Sequence, residues 1–281
     1  MLWSVRHETL YRYNVPVVFG PHVLRLNPRS ETVRIIAHDL SVEPSPSHRF
    51  NTSDEFGNCC THLNFDRNLA ARSLQIVSQF EVDTIESVRL DQLELPKLPW
   101  PIRAADKWVL YRNVRDPVHE LEQLAQELSA KADYAPIAFV ESLCQWLHGR
   151  IHGQFRLDGI AQRPVETLQS SRGACRDITV LFLELCRYVG LAARFVSGYQ
   201  GIADTADGSR HLHAWAEVFL PGTGWQGWDP MYGLRVNGGH IALCAAPEQA
   251  GTMPIEGGLY FDGSELTSTL DYVIQVEKPS H

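Results

Sequence analysis

The sequence is short of positive charge: 25 Lys and Arg stand against 33 Asp and Glu, a formal net charge of −8. No Lys/Arg cluster offsets that balance, which argues against a nucleic-acid surface or an anionic-membrane surface. No stretch approaches the roughly 18 to 20 consecutive apolar residues that a membrane-spanning helix needs. The opening MLWSVRHETLYRYNV is interrupted by Arg6, His7, Glu8 and Arg12, so it lacks a secretory h-region. A cytoplasmic location with reduced thiols is expected, and the six cysteines show no compact disulfide spacing. Repeats and low-complexity segments are lacking. His211 and His213 form an H-x-H pair with no Cys or Asp partner at metal-site spacing, so no metal and no cofactor is expected.

What is present is an ordinary globular composition, 44% hydrophobic and 21% charged, in a chain of 281 residues. That length gives one large domain or two smaller ones, with room for a substantial core. Val5, His7, Thr9, Tyr11 and Tyr13 alternate with polar or charged neighbours, as in a half-buried strand. RIIAHDLSVE (34–43) and LQIVSQFEVDT (74–84) read the same way, and DEFGN (54–58) supplies hairpin-turn residues between them. A small antiparallel, sandwich-like β-domain over residues 1–95 is expected. Pro96, Pro99 and Pro101 mark the boundary, with a second domain over 96–281.

Helical periodicity begins beyond the prolines. Val118, Leu121, Leu124, Ala125 and Leu128 form one apolar stripe, and Phe139, Val140, Leu143, Trp146, Leu147 and Ile151 form another. A third segment, GACRDITVLFLELCRYVG (173–190), leaves almost no polar face and reads as a central buried helix capped by Gly190. LAARFVSGY then reads as a strand, and HLHAWAEVFL and GWQGWDP as a hairpin around Pro221–Gly224.

Cys175 stands apart from the other cysteines because it falls at the mouth of that third helix. Unpaired N–H groups and the positive end of the helix dipole face a sulfur placed there, and both favour thiolate. Cys186 lies deep in the same helix and has no such setting. Cys144 and Cys244 read as core residues, and Cys59 and Cys60, adjacent on a strand, face opposite ways. A thiolate nucleophile needs a base oriented by a third group. His213 is the candidate base and Asp229 the candidate orienting carboxylate. Pairing Phe219 with Trp225 sets Trp215 opposite Asp229 and His213 diagonal to it, within reach of a hydrogen bond. That register demands an odd-length loop or a bulge, since a four-residue loop would put the two side chains on opposite faces.

GACRD, LAARFVSGY and HAWAEVFLPGTGWQGWDP, in that order and spacing, resemble the bacterial transglutaminase-like superfamily. HETLYRYNVPVVFGPHVLRLNPR (7–29) is similar to the β-rich domain that precedes this core in many bacterial members. The resemblance implies an α+β chain: an antiparallel β-sandwich-like domain, then a papain-like, transglutaminase-like core. It implies a triad of Cys175 as nucleophile, His213 as general base and then acid, and Asp229 as orienter. The tail departs from it, since ALCAAPEQAGTMPIEG stands where related sequences carry a Gly-Arg-Asp-Tyr type segment. That departure bears on the cleft rim and the substrate range.

The chemistry then expected is acyl transfer on an amide through a thioester on Cys175, with a peptide or protein amide as partner. Release by water makes a protease or amidase; release by an amine makes a protein cross-linking transglutaminase. A non-catalytic peptide-binding module using the same cleft is the rival from a different class. The oxyanion is expected to meet the Cys175 backbone N–H and a side-chain donor, for which Gln154 is the candidate. Trp215 and Tyr199 are expected to wall the cleft. The oligomeric state is left open.

Overall fold

The alternation at the N-terminus runs well past Tyr13. In the computed structural model, which describes all residues except 86–87, 102–106, 158, 204, 206–207, 264 and 280–281, Leu2–Leu24 form one strand, β1. Then come β2 (Val33–Glu43), β3 (His48–Ser53), β4 (Cys59–Asn64) and β5 (Ala70–Thr84). The helical region holds α1 (Val109–Arg112), α2 (His119–Lys131), α3 (Pro136–Arg150), α4 (Pro164–Ser170) and α5 (Cys175–Tyr188). Two short strands, β6 (His152–Gly153) and β7 (Arg172–Gly173), flank α4. The chain continues through β8 (Ala193–Gln200), β9 (His213–Leu220), β10 (Gly224–Asp229), β11 (Leu234–Arg235) and β12 (His240–Ala246). It closes with β13 (Ile255–Tyr260) and β14 (Ser268–Glu277).

The N-terminal domain is a seven-stranded antiparallel sheet of order β2-β5-β1-β4-β3, with β13 and β14 also paired to β1. β5 and β14 flank the first half of β1, and β4 and β13 its second half. Register breaks between Arg12 and Val17, and between Phe19 and His22, bend this long strand so that the sheet curls. The expected turn at DEFGN is there: Asp54 Oδ1 accepts the Phe56 and Asn58 N–H groups at 2.9 and 2.8 Å, and Gly57 has φ +78°.

A boundary that assigns all of 96–281 to the core needs correction, because β13 and β14 return to the N-terminal sheet. Alternation in LDYVIQV shows a strand but not its partner. The partner is β1, whose edge would otherwise stay unpaired.

The core has a five-stranded antiparallel sheet, order β11-β10-β9-β8-β12, with α5 packed across β8 and β9. Leu181, Phe182, Leu185 and Cys186 of α5 are fully buried; each large apolar side chain of this kind contributes roughly 2 kcal/mol. Gly190 ends the helix at φ +80°, where Leu191 N–H donates to Cys186 O at 3.0 Å and a side chain would strike the Trp100 carbonyl. Three charged residues, Asp177, Glu184 and Arg187, are buried in this helix despite its apolar pattern. Glu184 accepts the Arg115 and Asp116 N–H groups and pairs with Arg187 at 3.3 Å.

One apolar cluster joins the two sheets: Trp3, Val5, Phe80 and Val276 of the first pack with Tyr199, Ile241 and Leu243 of the second. Within that cluster the buried His7 ring meets the Tyr199 hydroxyl at 2.7 Å and Thr9 Oγ1 at 3.1 Å. Burial pushes the His7 pKa down to about 4. The unfolded chain therefore binds this proton first, so stability is complete above about pH 6.5 and falls as pH drops toward 4. The expected loss across that window is on the order of 3 kcal/mol. Denaturant titration at the two ends of the window checks it: the loss should shrink in His7→Phe, and an unchanged loss would contradict it.

Candidate active site

β7 delivers the chain to Cys175. Gly173 packs so closely against Asp177 and Thr167 that an added Cβ would lie 2.9 and 3.1 Å from their side-chain atoms. Ala174 is the extended N-cap, and Cys175 is the first residue of α5. Asp177, fully buried in the first turn, is acceptor for Ala174 N–H (2.7 Å), Gln162 N–H (2.8 Å) and Arg156 Nη2 (2.8 Å). Arg176 Nη1 donates to the Arg156 carbonyl at 2.9 Å. The first turn of α5 thus clamps Arg156 and Gln162 of the loop before α4, whose Phe155, Leu157 and Ile160 are exposed.

His213 opens β9 and Asp229 ends β10. The hairpin pairs Leu220 with Gly224 and Phe219 with Trp225, leaving the three-residue loop Pro221–Thr223. This is the odd-length register that sets His213 diagonal to Asp229, and His213 Nε2 lies 2.7 Å from Asp229 Oδ2. With Nε2 so engaged, Nδ1 is left for the Cys175 thiol, to which His213 is hydrogen-bonded. The Ala214 N–H also donates to the sulfur. Asp229 is fully buried, and its Oδ1 accepts Met231 N–H (3.1 Å) and Tyr232 N–H (3.3 Å). The Tyr232 ring stands 5.3 Å from the His213 ring, centroid to centroid.

These contacts set the ionisation. Burial would raise the Cys175 thiol, but the hydrogen bond and charge of His213, with the Ala214 N–H, bring it below its ordinary value. Burial would lower His213, yet the Asp229 charge and hydrogen bond, then Cys175, push it up to about 10. Burial would raise Asp229, while the two-fold contact with His213 and a further hydrogen bond from His240 hold it far below the usual carboxylate range. The other five cysteines go the opposite way: Cys144 and Cys244 are pushed up to about 12, Cys186 well above its ordinary value, and Cys59 and Cys60 upward, all by burial. Of six free cysteines, Cys175 alone favours thiolate, and it is partly exposed.

Other expected residues fall differently. Gln154 is brought near Cys175 by its backbone, whose N–H donates to Gly173 O at 2.8 Å, and the residue is exposed. Tyr199 and Trp215 do not wall an open cleft, and that expectation is corrected. Tyr199 is fully buried against the N-terminal sheet, because β8 is a central strand covered on both faces. Trp215, 1% exposed, packs edge-on to His240 at 5.2 Å. His211 points away from His213: its Nδ1 meets the Tyr272 hydroxyl at 2.7 Å, and its ring lies 4.4 Å from that of Phe155. The segment that departs from the resemblance reaches the rim, since Gln249 Oε1 accepts the Ala161 N–H at 2.7 Å.

Two residues of the site depend on contacts across the fold. Asp177, in the first turn of α5, holds Arg156 and Gln162 of the loop before α4. His240 lies at the start of β12, with Nε2 3.0 Å from Asp229 Oδ2. A strand order that puts β12 beside β8 is what brings it in, and no local pattern encodes that order.

The arrangement can be set against known proteins. A family model described as the transglutaminase-like superfamily matches residues 122–230, and the bacterial transglutaminase-like N-terminal region matches residues 3–83. The chain carries a transglutaminase-like core preceded by a bacterial transglutaminase-like N-terminal region. Along nearly its whole length it is similar to uncharacterized mycobacterial proteins. One from Mycobacterium tuberculosis is 27% identical over 297 residues, covering 98% of this chain and 92% of that one. One from Mycobacterium leprae is 24% identical, covering 99% of each. The fold is shared with the crystal structure of a "putative cysteine protease" from Cytophaga hutchinsonii, at TM-score 0.70 and 15% identity, covering 100% of this chain and 91% of the other. Fold and family thus support cysteine-based catalysis in general terms. Among the described residues no helix is long and apolar enough to cross a membrane.

Proposed function

We propose that this chain is a cysteine hydrolase that cleaves a peptide or isopeptide-like amide through a thioester on Cys175. The observation that carries this reading is the single depressed thiol, hydrogen-bonded to an imidazole that is itself bonded to a buried carboxylate. The Cys175 thiolate attacks the carbonyl carbon, and imidazolium His213 gives its proton to the leaving amine. Neutral His213 then takes a proton from water as water attacks the thioester, which releases the acid and restores the pair. Asp229 holds the ring and offsets its charge throughout. The Cys175 N–H, at the first position of α5, is the proposed oxyanion donor, with Gln154 as its side-chain companion. The apolar rim of Phe155, Leu157 and Ile160 suits an extended peptide with apolar side chains beside the scissile bond. A reducing, cytoplasmic location would keep the six thiols free.

The test is a peptide-amide and activated-ester screen read by intact-protein mass spectrometry, with and without a primary amine. The expected result is an acyl adduct on Cys175 that water clears to acid, with the amide of the added amine as a minor product. A dominant amine product would make the chain a cross-linker, and no adduct with any acyl donor would leave only peptide binding.

A further inference from the structure

Resting on the reading of Cys175, His213 and Asp229 as a working triad, we propose that His240 is a positioning residue. It fixes the Asp229 carboxylate as a neutral Nε2–H donor, through a loop held by the N-terminal sheet.

The tautomer follows from the hydrogen bonds. Asn237 N–H points at His240 Nδ1, 3.4 Å away, so Nδ1 carries a lone pair and the ring proton sits on Nε2. Nε2–H therefore donates to Asp229 Oδ2, the same oxygen that His213 meets. Oδ1 is already held by two backbone N–H groups. With His240 on the other oxygen, the carboxylate plane is fixed without any help from His213. His213 is then free to gain and lose its proton and to shift against the sulfur during a cycle, while its partner stays still. The His240 ring is itself held on its far side by the edge of Trp215, and its side chain is fully buried.

The anchoring continues outward. Gly238, within the 237–240 turn, offers its carbonyl to Trp3 Nε1–H at 2.7 Å and to the Thr84 hydroxyl at 2.9 Å. Both donors belong to the N-terminal sheet, on β1 and β5. A continuous set of hydrogen bonds thus runs from that sheet through the turn and His240 to Asp229. This gives the preceding β-domain a part in the chemistry beyond covering apolar surface.

The experiment is the rate of Cys175 alkylation by iodoacetamide against pH, in wild type, His240→Leu and His240→Gln. Leucine removes the donor at similar bulk, whereas glutamine keeps an N–H where Nε2 stood. The midpoint for thiolate formation is expected to rise by about one pH unit in His240→Leu, a roughly tenfold slower reaction near neutrality. His240→Gln should stay within about threefold of wild type. Superimposable curves for His240→Leu and wild type would overturn the proposal. A wild type without a depressed midpoint would instead overturn the triad reading, before any variant is compared, and the proposal with it. Should His240→Leu not fold, histidine side-chain nitrogen NMR of the wild type decides. A neutral Nε2–H ring at His240 beside a protonated His213 is expected, and an Nδ1–H or protonated His240 would overturn it.

Discussion

Cys175→Ala is expected to lose turnover by a factor on the order of 10⁵ or more in kcat, the scale seen when a triad nucleophile is removed. The fold should survive. Cys175 is the first residue of α5 and partly exposed, and the Asp177 contacts that fix this helix end do not involve its side chain. The thiol's own hydrogen bonds, to the His213 ring and from the Ala214 N–H, are lost, so a stability change of about 1 kcal/mol is expected. Turnover and a thermal melt on the same preparation check both halves. Residual activity above about a hundredth of wild type would place the chemistry on another group.

Asp229→Asn should lower kcat by about 10³- to 10⁴-fold while leaving the backbone in place. Four donors converge on this side chain: two ring nitrogens at Oδ2 and two backbone N–H groups at Oδ1. A carboxylate accepts at both ends, but an amide accepts at only one, so either the backbone pair or the ring pair loses its acceptor. If the amide NH₂ faces His213, the ring must accept at Nε2, and its proton moves to the side facing sulfur. The ion pair of wild type exists between the depressed thiol pKa and the His213 value of about 10. Thiolate is lost as pH falls through the first, and imidazolium is lost as pH rises through the second. Without the carboxylate charge, His213 falls, so the upper limb of the pH–rate profile should move to lower pH. An upper limb that stays in place would remove Asp229 from its assigned part.

Much of this site is legible in the sequence because it is built from local geometry. A cysteine after Gly173 and Ala174 at the head of an apolar run is a helix-mouth cysteine whatever the rest of the fold does. The alternation of side chains in HAWAEVFL and GWQGWDP then dictates which residues can share a face and demands an odd-length loop or a bulge, which the fold meets with the three residues Pro221–Thr223. What the sequence hides depends on non-local partners. The pattern of LDYVIQV does not reveal that β14 pairs with β1, nor does HIALC show that His240 reaches Asp229. Tyr199 lies in a strand whose residues are all buried, and no local pattern tells which element covers it; the N-terminal sheet does. Glu184 and Arg187 satisfy each other inside an apolar helix, a pairing visible only once Arg115 and Asp116 are in place.

The central claim is that Cys175 is a thiolate because His213 makes it one. Limiting iodoacetamide at about pH 7.5, with modified cysteines mapped by mass spectrometry in wild type and His213→Ala, tests it most directly. Cys175 should be alkylated first in wild type, ahead of the other partly exposed thiol, Cys59, whose pKa burial raises. In His213→Ala that lead should vanish. A wild type in which Cys175 reacts no faster than Cys59, or a variant in which its lead persists, would contradict the account.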